Sequence, residues 1–315
     1  MARLFFCGEG LIDFVPMTGA DGTQGYRPVP GGSVYNAAKA AARAGAASYF
    51  LGPLSTDLFG DRLAAHLVET GVSIEVAQRS PLATTLAFVD LAEGEARYAF
   101  FHAGSAVVHM TPSLGTIEPA PHDILDIGSL SLIESPGADA TADFALALAP
   151  RLMLAIDPNV RAGMIRARAV WQARIERLLD AAAIVRLSEE DLAFLAPGTG
   201  PEDFARARLS RGAGLVVVTR GGAGAVAWTR AGQAEIAAPR VVVRDTVGAG
   251  DTLMGAMLAR LSARGVAGAD DLARLDAQAL GDVLAFATTA AALNCTREGC
   301  DPPTRREIEA AMAGG

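Results

Sequence analysis

Six short, almost wholly apolar runs constrain this chain most: residues 4–7, 47–51, 124–127, 153–156, 183–187 and 215–219. They are separated by alanine- and leucine-rich stretches of helical period. A strand without polar alternation has both faces buried, so helices must cover it on both sides. With 51% hydrophobic and 20% charged residues in 315, the chain can fill one large core. The expected fold class is α/β, a mostly parallel sheet between two helical layers. Ligands in such sheets bind at the carboxyl edge of the strands, so the turns after these runs are the places to look for a site.

Two segments break the rhythm. Residues 13–30 are rich in turn formers and carry no helical period. Residues 84–89 and 95–102 are extended runs joined by Leu91-Ala92-Glu93-Gly94, which reads as a hairpin. Both should leave the core and form a small β-sheet. The expected division is a core of 1–12, 31–83 and 104–315, with 13–30 and 84–103 as a flap over a ligand, a dimerisation sheet, or both.

Composition excludes several function classes. A net charge of −8 without a basic patch argues against nucleic-acid binding. No apolar run is long enough to span a membrane, and Glu9 interrupts the N-terminal run too early for a secretory signal, so a cytoplasmic location is expected. Cys7, Cys295 and Cys300 are too few for a disulfide framework and lack the neighbours of a zinc site. Lys39 is the only lysine, and no Gly-Lys-Ser/Thr triplet occurs. Any nucleotide phosphate must be held without a Walker lysine.

Candidate chemistry gathers in five turns. Residues 245–258 read Asp-Thr-Val-Gly-Ala-Gly-Asp-Thr-Leu-Met-Gly-Ala-Met-Leu after the strand-like Val241-Val242-Val243. Helical period comes next, with Gly265 as a C-cap. Bare first-turn amides, the helix dipole and glycine's freedom of close approach favour an anion over Gly248, Ala249 and Gly250. Asp251 beside them suits a base that takes a hydroxyl proton during phosphoryl transfer. Local physics alone equally allows a helix cap with an acidic first-turn residue. Gly31-Gly32-Ser33, with Ser33 placed as an N-cap, opens a second helix that carries Asn36. Asn36 is able to meet sugar hydroxyls, and tight helix packing is the competing reading. Asp13 lies just past the first strand and can accept from vicinal hydroxyls; a solvated loop acid is the alternative. Asp157-Pro158-Asn159-Val160-Arg161 offers an arginine for an anion or for a surface ion pair. Ser188-Glu189-Glu190-Asp191 offers acids for Mg²⁺ through water, or an acidic helix start. Gly222-Ala223-Gly224-Ala225-Val226-Ala227 fits a loose dinucleotide pattern, but residues 225–232 read as strand and turn, which rejects it.

Together these segments resemble the ribokinase-like (PfkB) carbohydrate kinases, whose two signatures are matched at Gly31, Gly32 and Asn36 and throughout 245–258; residues 52–60 resemble the loop ahead of the family's second helix. The resemblance implies a three-layer α/β/α core with a small β-sheet lid, and transfer of the ATP γ-phosphoryl to a sugar with Mg²⁺. It implies Asp251 as base with Gly248, Ala249 and Gly250 as anion hole. Asp13, Gly31, Gly32, Asn36, His102, Asn159 and Arg161 would hold the sugar. Ser188, Thr219, Gly221, Gly224, Gly248, Gly250 and Asn294 would lie along the nucleotide. Asp191 would serve the metal, and Asp245 a monovalent cation such as K⁺. Residues 11–16, 157–161 and 295–304 are most similar to bacterial fructokinases, implying fructose 6-phosphate as product and, through the lid, a homodimer. His102 departs from the family pattern, which keeps 2-keto-3-deoxygluconate and other sugars or nucleosides as alternative substrates; Ser188-x-x-Asp191 departs from the family's Asn-x-x-Glu, which leaves open what surrounds the metal. A non-catalytic sugar- or nucleotide-binding regulator is the more distant alternative.

Overall fold

The computed structural model describes residues 2–92 and 95–314. The chain opens with β1 (Arg3–Cys7), β2 (Leu11–Thr18), β3 (Gln24–Gly31), α1 (Ser33–Arg43), β4 (Ala47–Phe50), β5 (Pro53–Ser55), α2 (Leu58–Glu69) and β6 (Gln78–Ser80). It continues through β7 (Thr85–Ala92), β8 (Glu95–Phe101), β9 (Ile124–Gly128), α3 (Gly137–Leu148), β10 (Met153–Asp157), α4 (Arg168–Ala181), β11 (Ile184–Ser188), α5 (Glu189–Leu195) and α6 (Pro201–Ser210). The last elements are β12 (Leu215–Thr219), β13 (Ala225–Trp228), β14 (Gln233–Ile236), α7 (Ala249–Ala263), α8 (Ala269–Ala273), α9 (Ala277–Cys295) and α10 (Arg305–Ala313).

The large sheet has the order β14-β13-β12-β11-β10-β9-β1-β4. From β12 to β4 every pairing is parallel, and these six strands are the six apolar runs of the sequence. β13 and β14 add an antiparallel edge, so the dinucleotide-like glycines lead into a strand and not a helix. β1 shows why both faces need cover. Leu4 and Phe6 enter one apolar core with α1, α7 and α9, while Phe5 and Cys7 enter the other with α4 and α5. Burial of each Phe or Leu contributes about 1.5–3 kcal/mol.

β3-β2-β7-β8 form the second sheet, antiparallel except for β2 against β7. Within the expected hairpin turn, Glu93 and Gly94 lie outside the described residues. One expectation fails here: Val241–Val243 form no strand, and Val242 is 85% exposed. β-branched residues favour extended backbone, but residues 237–248 have no strand to pair with.

α1 and α7 pack unusually closely. A Cβ at Gly255 would lie 2.2 Å from the Ala37 carbonyl oxygen, so only glycine allows the contact. This approach, one turn beyond Asp251, brings the two helix N-termini together above the carboxyl edge of the sheet.

Candidate active site

The strand ends supply the floor of the site. Glu9 lies just beyond β1, Asp126 lies in β9, Asp157 ends β10, Arg186 lies in β11 and Thr219 ends β12, all side by side in the sheet and all buried. Arg186 is held between an ion pair from its Nη1 to Asp157 Oδ2 and a 2.7 Å hydrogen bond from its Nη2 to Thr219 Oγ1. The α7 N-terminus rests on this guanidinium, since a Cβ at Gly250 would stand 2.8 Å from Arg186 Nη2.

Asp251, in the first turn of α7, is buried. Its Oδ1 accepts from Ser33 Oγ at 2.8 Å and its Oδ2 from Asn36 Nδ2 at 3.0 Å. Ser33 is therefore not the N-cap of α1. Gly32 holds that position, and the Ser33 hydroxyl crosses to the neighbouring helix. Behind Ser33, Asn159 Nδ2 donates to its Oγ at 2.7 Å, and Arg161 Nη1 donates to Asn159 Oδ1 at 2.7 Å. A carboxylate offers about four lone-pair sites, so two protein donors leave room for a substrate hydroxyl.

Burial raises the Asp251 pKa above the ordinary carboxylate value, opposed by the hydrogen bonds from Asn36 and Ser33 and by the charges of Arg161 and Arg186. Burial pushes Asp13 up to about 7, with the negative charge of Asp251 adding to the effect. It also pushes Glu9 up to about 7 and Asp157 to about 6, the latter restrained by Arg186. Asp126 is driven well above its usual value by burial and by Asp157 and Asp251. Burial thus raises the pKa of every carboxyl group of the floor; Asp157 is paired with Arg186, and Asp251 is held by two neutral donors with guanidinium groups nearby.

A cavity of about 670 Å³ opens on the far side of the α7 N-terminus. Ser188, Glu189, Glu190, Thr219, Gly221 and Gly224 line one wall; Val241, Val243, Leu253, Ala291 and Ala292 line the other, and Ala249 and Gly250 close its inner end. Polar and glycine-rich at one side, apolar at the other, it fits a phosphate chain and a flat base. Among the described residues no protein acceptor meets the amides of Gly250 and Asp251, while Ala249 N reaches Thr246 O at 3.2 Å. A second cavity of about 440 Å³ lies between the small sheet and the segment after β10, lined by Tyr98, Phe100, His102, Arg161 and Arg166. His102 Nε2 bonds Glu134 Oε2 at 2.7 Å.

Two expectations need correction. Asn294 is fully buried and outside the large cavity; its Nδ2 donates to Val247 O at 2.9 Å, so it braces the loop before α7 from behind and does not face the cavity. Asp191 Oδ2 accepts from Ser188 N and Oγ, and its Oδ1 accepts from Val160 N at 2.7 Å. It is a capping-box residue tying two loops together, with no free oxygen aimed at a metal. Asp245 accepts one donor on each oxygen, Val247 N at 3.0 Å and Gly299 N at 2.8 Å, which shapes its loop and leaves lone pairs for a cation. Among the described residues no group of three His, Cys, Asp or Glu side chains is arranged to hold a metal ion. Sequence reasoning overlooked Glu9, Asp126 and Arg186. Their signal was legible, for a single charge inside or against an apolar strand survives burial only with a partner or a shifted pKa.

The model of the pfkB family carbohydrate kinases matches residues 1–306. A fructokinase of Rhizobium leguminosarum bv. trifolii is 35% identical over 278 residues, covering 87% of this chain and 84% of the relative. The crystal structure of a Xylella fastidiosa fructokinase with bound ATP superposes with a TM-score of 0.89 at 27% identity, over 99% of this chain and 98% of that one. A Vibrio cholerae O395 fructokinase, solved with fructose, ADP and calcium ion, gives 0.84 at 27% identity, over 98% of both chains. On the strength of the match along nearly its whole length, this chain belongs to the pfkB family of carbohydrate kinases.

Proposed function

We propose that the chain is an ATP-dependent fructokinase that makes fructose 6-phosphate. The observation that carries this is Asp251. This buried carboxylate at the head of α7 lies beside amides without protein acceptors, next to Gly250, which lines one cavity, and is linked through Ser33 and Asn159 to Arg161, which lines the other. ATP would occupy the large cavity, its base near Val241, Val243 and Ala292 and its phosphates at the α7 N-terminus. The sugar would sit under the small sheet against Asp13, Gly31, Gly32, Asn36, Asn159 and Arg161, with His102 at its outer edge.

In the reaction Asp251 takes the proton of the attacking hydroxyl. The sugar oxygen forms a bond to the γ-phosphorus, the bond from that phosphorus to the bridging oxygen breaks, and ADP leaves with its electron pair. The amides of Gly250 and Asp251, which have no protein acceptor, stabilise with that of Gly248 the charge that builds on the transferred group, while Ala249 N holds Thr246 O. Glu189 and Glu190, which line the large cavity, suit Mg²⁺ held through water and the phosphates, in keeping with its preference for few protein ligands. When bound, the ion neutralises phosphate charge. A monovalent cation such as K⁺ would lie by the Asp245 loop.

The small sheet serves as lid, excluding water that would otherwise hydrolyse ATP. Its face away from Asp13 carries Phe14, Tyr26, Phe88 and Phe101 in a stacked and edge-to-face series, with Tyr26 and Phe101 exposed. That face suits pairing with a second copy, which sedimentation velocity detects. The three cysteines are free, as a reducing compartment keeps them, and among the described residues no helix is long and apolar enough to cross a membrane. Both features suit an enzyme of the cytoplasm.

The test is ATP turnover with fructose, 2-keto-3-deoxygluconate, ribose and nucleosides. Fructose should give the highest kcat/KM, and Asp251→Asn should lower kcat by about 10²–10⁴. Preference for another acceptor would reassign the sugar; full activity of Asp251→Asn would remove the base.

A further inference from the structure

The Ser33 hydroxyl stands in a chain of donors with only one consistent direction. Arg161 has no acceptor capacity, so its 2.7 Å contact fixes the Asn159 amide with oxygen toward Arg161. The Asn159 nitrogen then donates to Ser33 Oγ. Because that oxygen receives a proton from Asn159, its own proton points to Asp251 Oδ1 at 2.8 Å. Two further restraints fix the chain. Ser33 N donates to Glu9 Oε1 at 2.9 Å, which locks the start of α1, and Asn159 holds the left-handed φ of 37°, which few side chains tolerate.

From this geometry we infer that Ser33 is a positioning residue for Asp251, which keeps the base ionised and sets its rotamer through the donor chain Arg161–Asn159–Ser33. The inference rests on the assignment of Asp251 as base. Hydrogen bonding to the charged form favours it, and donors ordered head to tail polarise one another. Asn36 restrains the other oxygen, so among the described residues Ser33 alone donates to Oδ1.

Other charges face Asp251 as well. Glu9, Asp13, Asp126 and Asp157 surround it from the sheet edges, each with a pKa raised mainly by burial. Arg161, Arg186 and Lys39 provide the positive field. Cys300, pushed up to about 12 by burial, and Tyr98, also raised by burial, stay neutral at physiological pH. Because so many groups titrate here, activity against pH alone would mix them.

The experiment therefore reads Asp251 directly, by carbon NMR of protein labelled at aspartate carboxyls, with the Asp251 resonance assigned by its loss in Asp251→Asn. In Ser33→Ala the Asp251 midpoint should rise by about one pH unit, the loss of one hydrogen bond to a charged group. Ser33→Thr should restore the midpoint. Asn159→Gly, which keeps the left-handed backbone, should raise it by less. In turnover with ATP and sugar, Ser33→Ala should lose roughly tenfold in kcat, with sugar KM within threefold, and Ser33→Thr should recover it. An unchanged midpoint in Ser33→Ala overturns the inference, and so does a raised midpoint with unchanged kcat. If wild type phosphorylates no sugar, the kinase reading fails while the NMR comparison still decides the link between Ser33 and Asp251.

Discussion

α1 and α7 are both led by a glycine of positive φ, 111° at Gly32 and 72° at Gly248, and neither N-cap offers a side chain to its first turn. In α1 the opening amide of Ser33 is held by the buried carboxyl of Glu9. The protein has supplied that helix with its own acceptor, and the turn is used to aim Ser33 and Asn36. In α7 the corresponding turn faces a large cavity, and the amides of Gly250 and Asp251 keep their donor capacity. The same local grammar yields a scaffold in one helix and, in the other, the turn proposed as an anion hole. What differs is what holds the first amide, the Glu9 carboxyl for Ser33 and the Thr246 carbonyl for Ala249, and that the α7 turn opens on the large cavity.

The sharpest way to break this contrast is to add a methyl group to each lead glycine. At Gly248 a Cβ would stand 2.3 Å from Cys300 Sγ; at Gly32 it would stand 2.7 Å from the Glu9 carbonyl oxygen. Gly248→Ala should distort the anion hole and lower kcat by about 10²–10³, with sugar KM little changed. Gly32→Ala should act mainly on sugar KM and on stability, with a strain of about 1–3 kcal/mol. Steady-state kinetics of both variants, with denaturant unfolding, separate the two. Equal losses of kcat would mean that the helices do not divide their work.

A smaller effect should appear in the pH dependence of stability. Glu9 is fully buried, and its pKa is raised to about 7 in the folded protein. The native state then binds a proton that the unfolded chain releases at its ordinary value. Stability from this group is greatest below the unfolded pKa and declines as pH rises through the window up to about 7. Glu9→Gln keeps an acceptor for Ser33 N and removes the titration. Between pH 5 and pH 8 the wild type should lose on the order of 2 kcal/mol more than the variant. Calorimetric unfolding at the two pH values measures the difference; parallel curves would mean that Glu9 stays ionised and that α1 is capped by a full charge.

The sequence carried the large sheet because each parallel strand is apolar on both faces, a pattern few other environments tolerate. It carried Asp251 and the glycines because helix N-termini have a local signature. It misread Val241–Val243 because β-propensity is a preference for a pleated surface, and no neighbouring strand is there to provide one. It missed the donor chain for a different reason. Arg161, Asn159, Ser33 and Asp251 are brought together by the close approach of α1 to α7 and by the turn after β10, and no spacing in the chain encodes that meeting. Asn294 shows the converse: its position near the end of α9 could be read, but whether its side chain faces the cavity or the loop behind depends on the helix's rotation.

Asp191 gives the smallest effect and the one most informative about the turn after β10. As a metal residue it would leave an oxygen toward the large cavity; as a cap it joins Ser188 at the start of α5 to Val160 beside Asn159. Asp191→Asn retains one acceptor but places an amide against donors that need an oxygen. Stability should fall by about 1 kcal/mol, the usual worth of such a cap, and sugar KM should rise two- to fivefold as the turn carrying Asn159 loosens. The Mg²⁺ concentration for half-maximal rate should stay within twofold of wild type, because the acids lining the cavity are Glu189 and Glu190. Were that concentration to rise tenfold with stability intact, Asp191 would have to leave its cap when the nucleotide binds, and the turn after β10 would be a moving part and not a fixed wall.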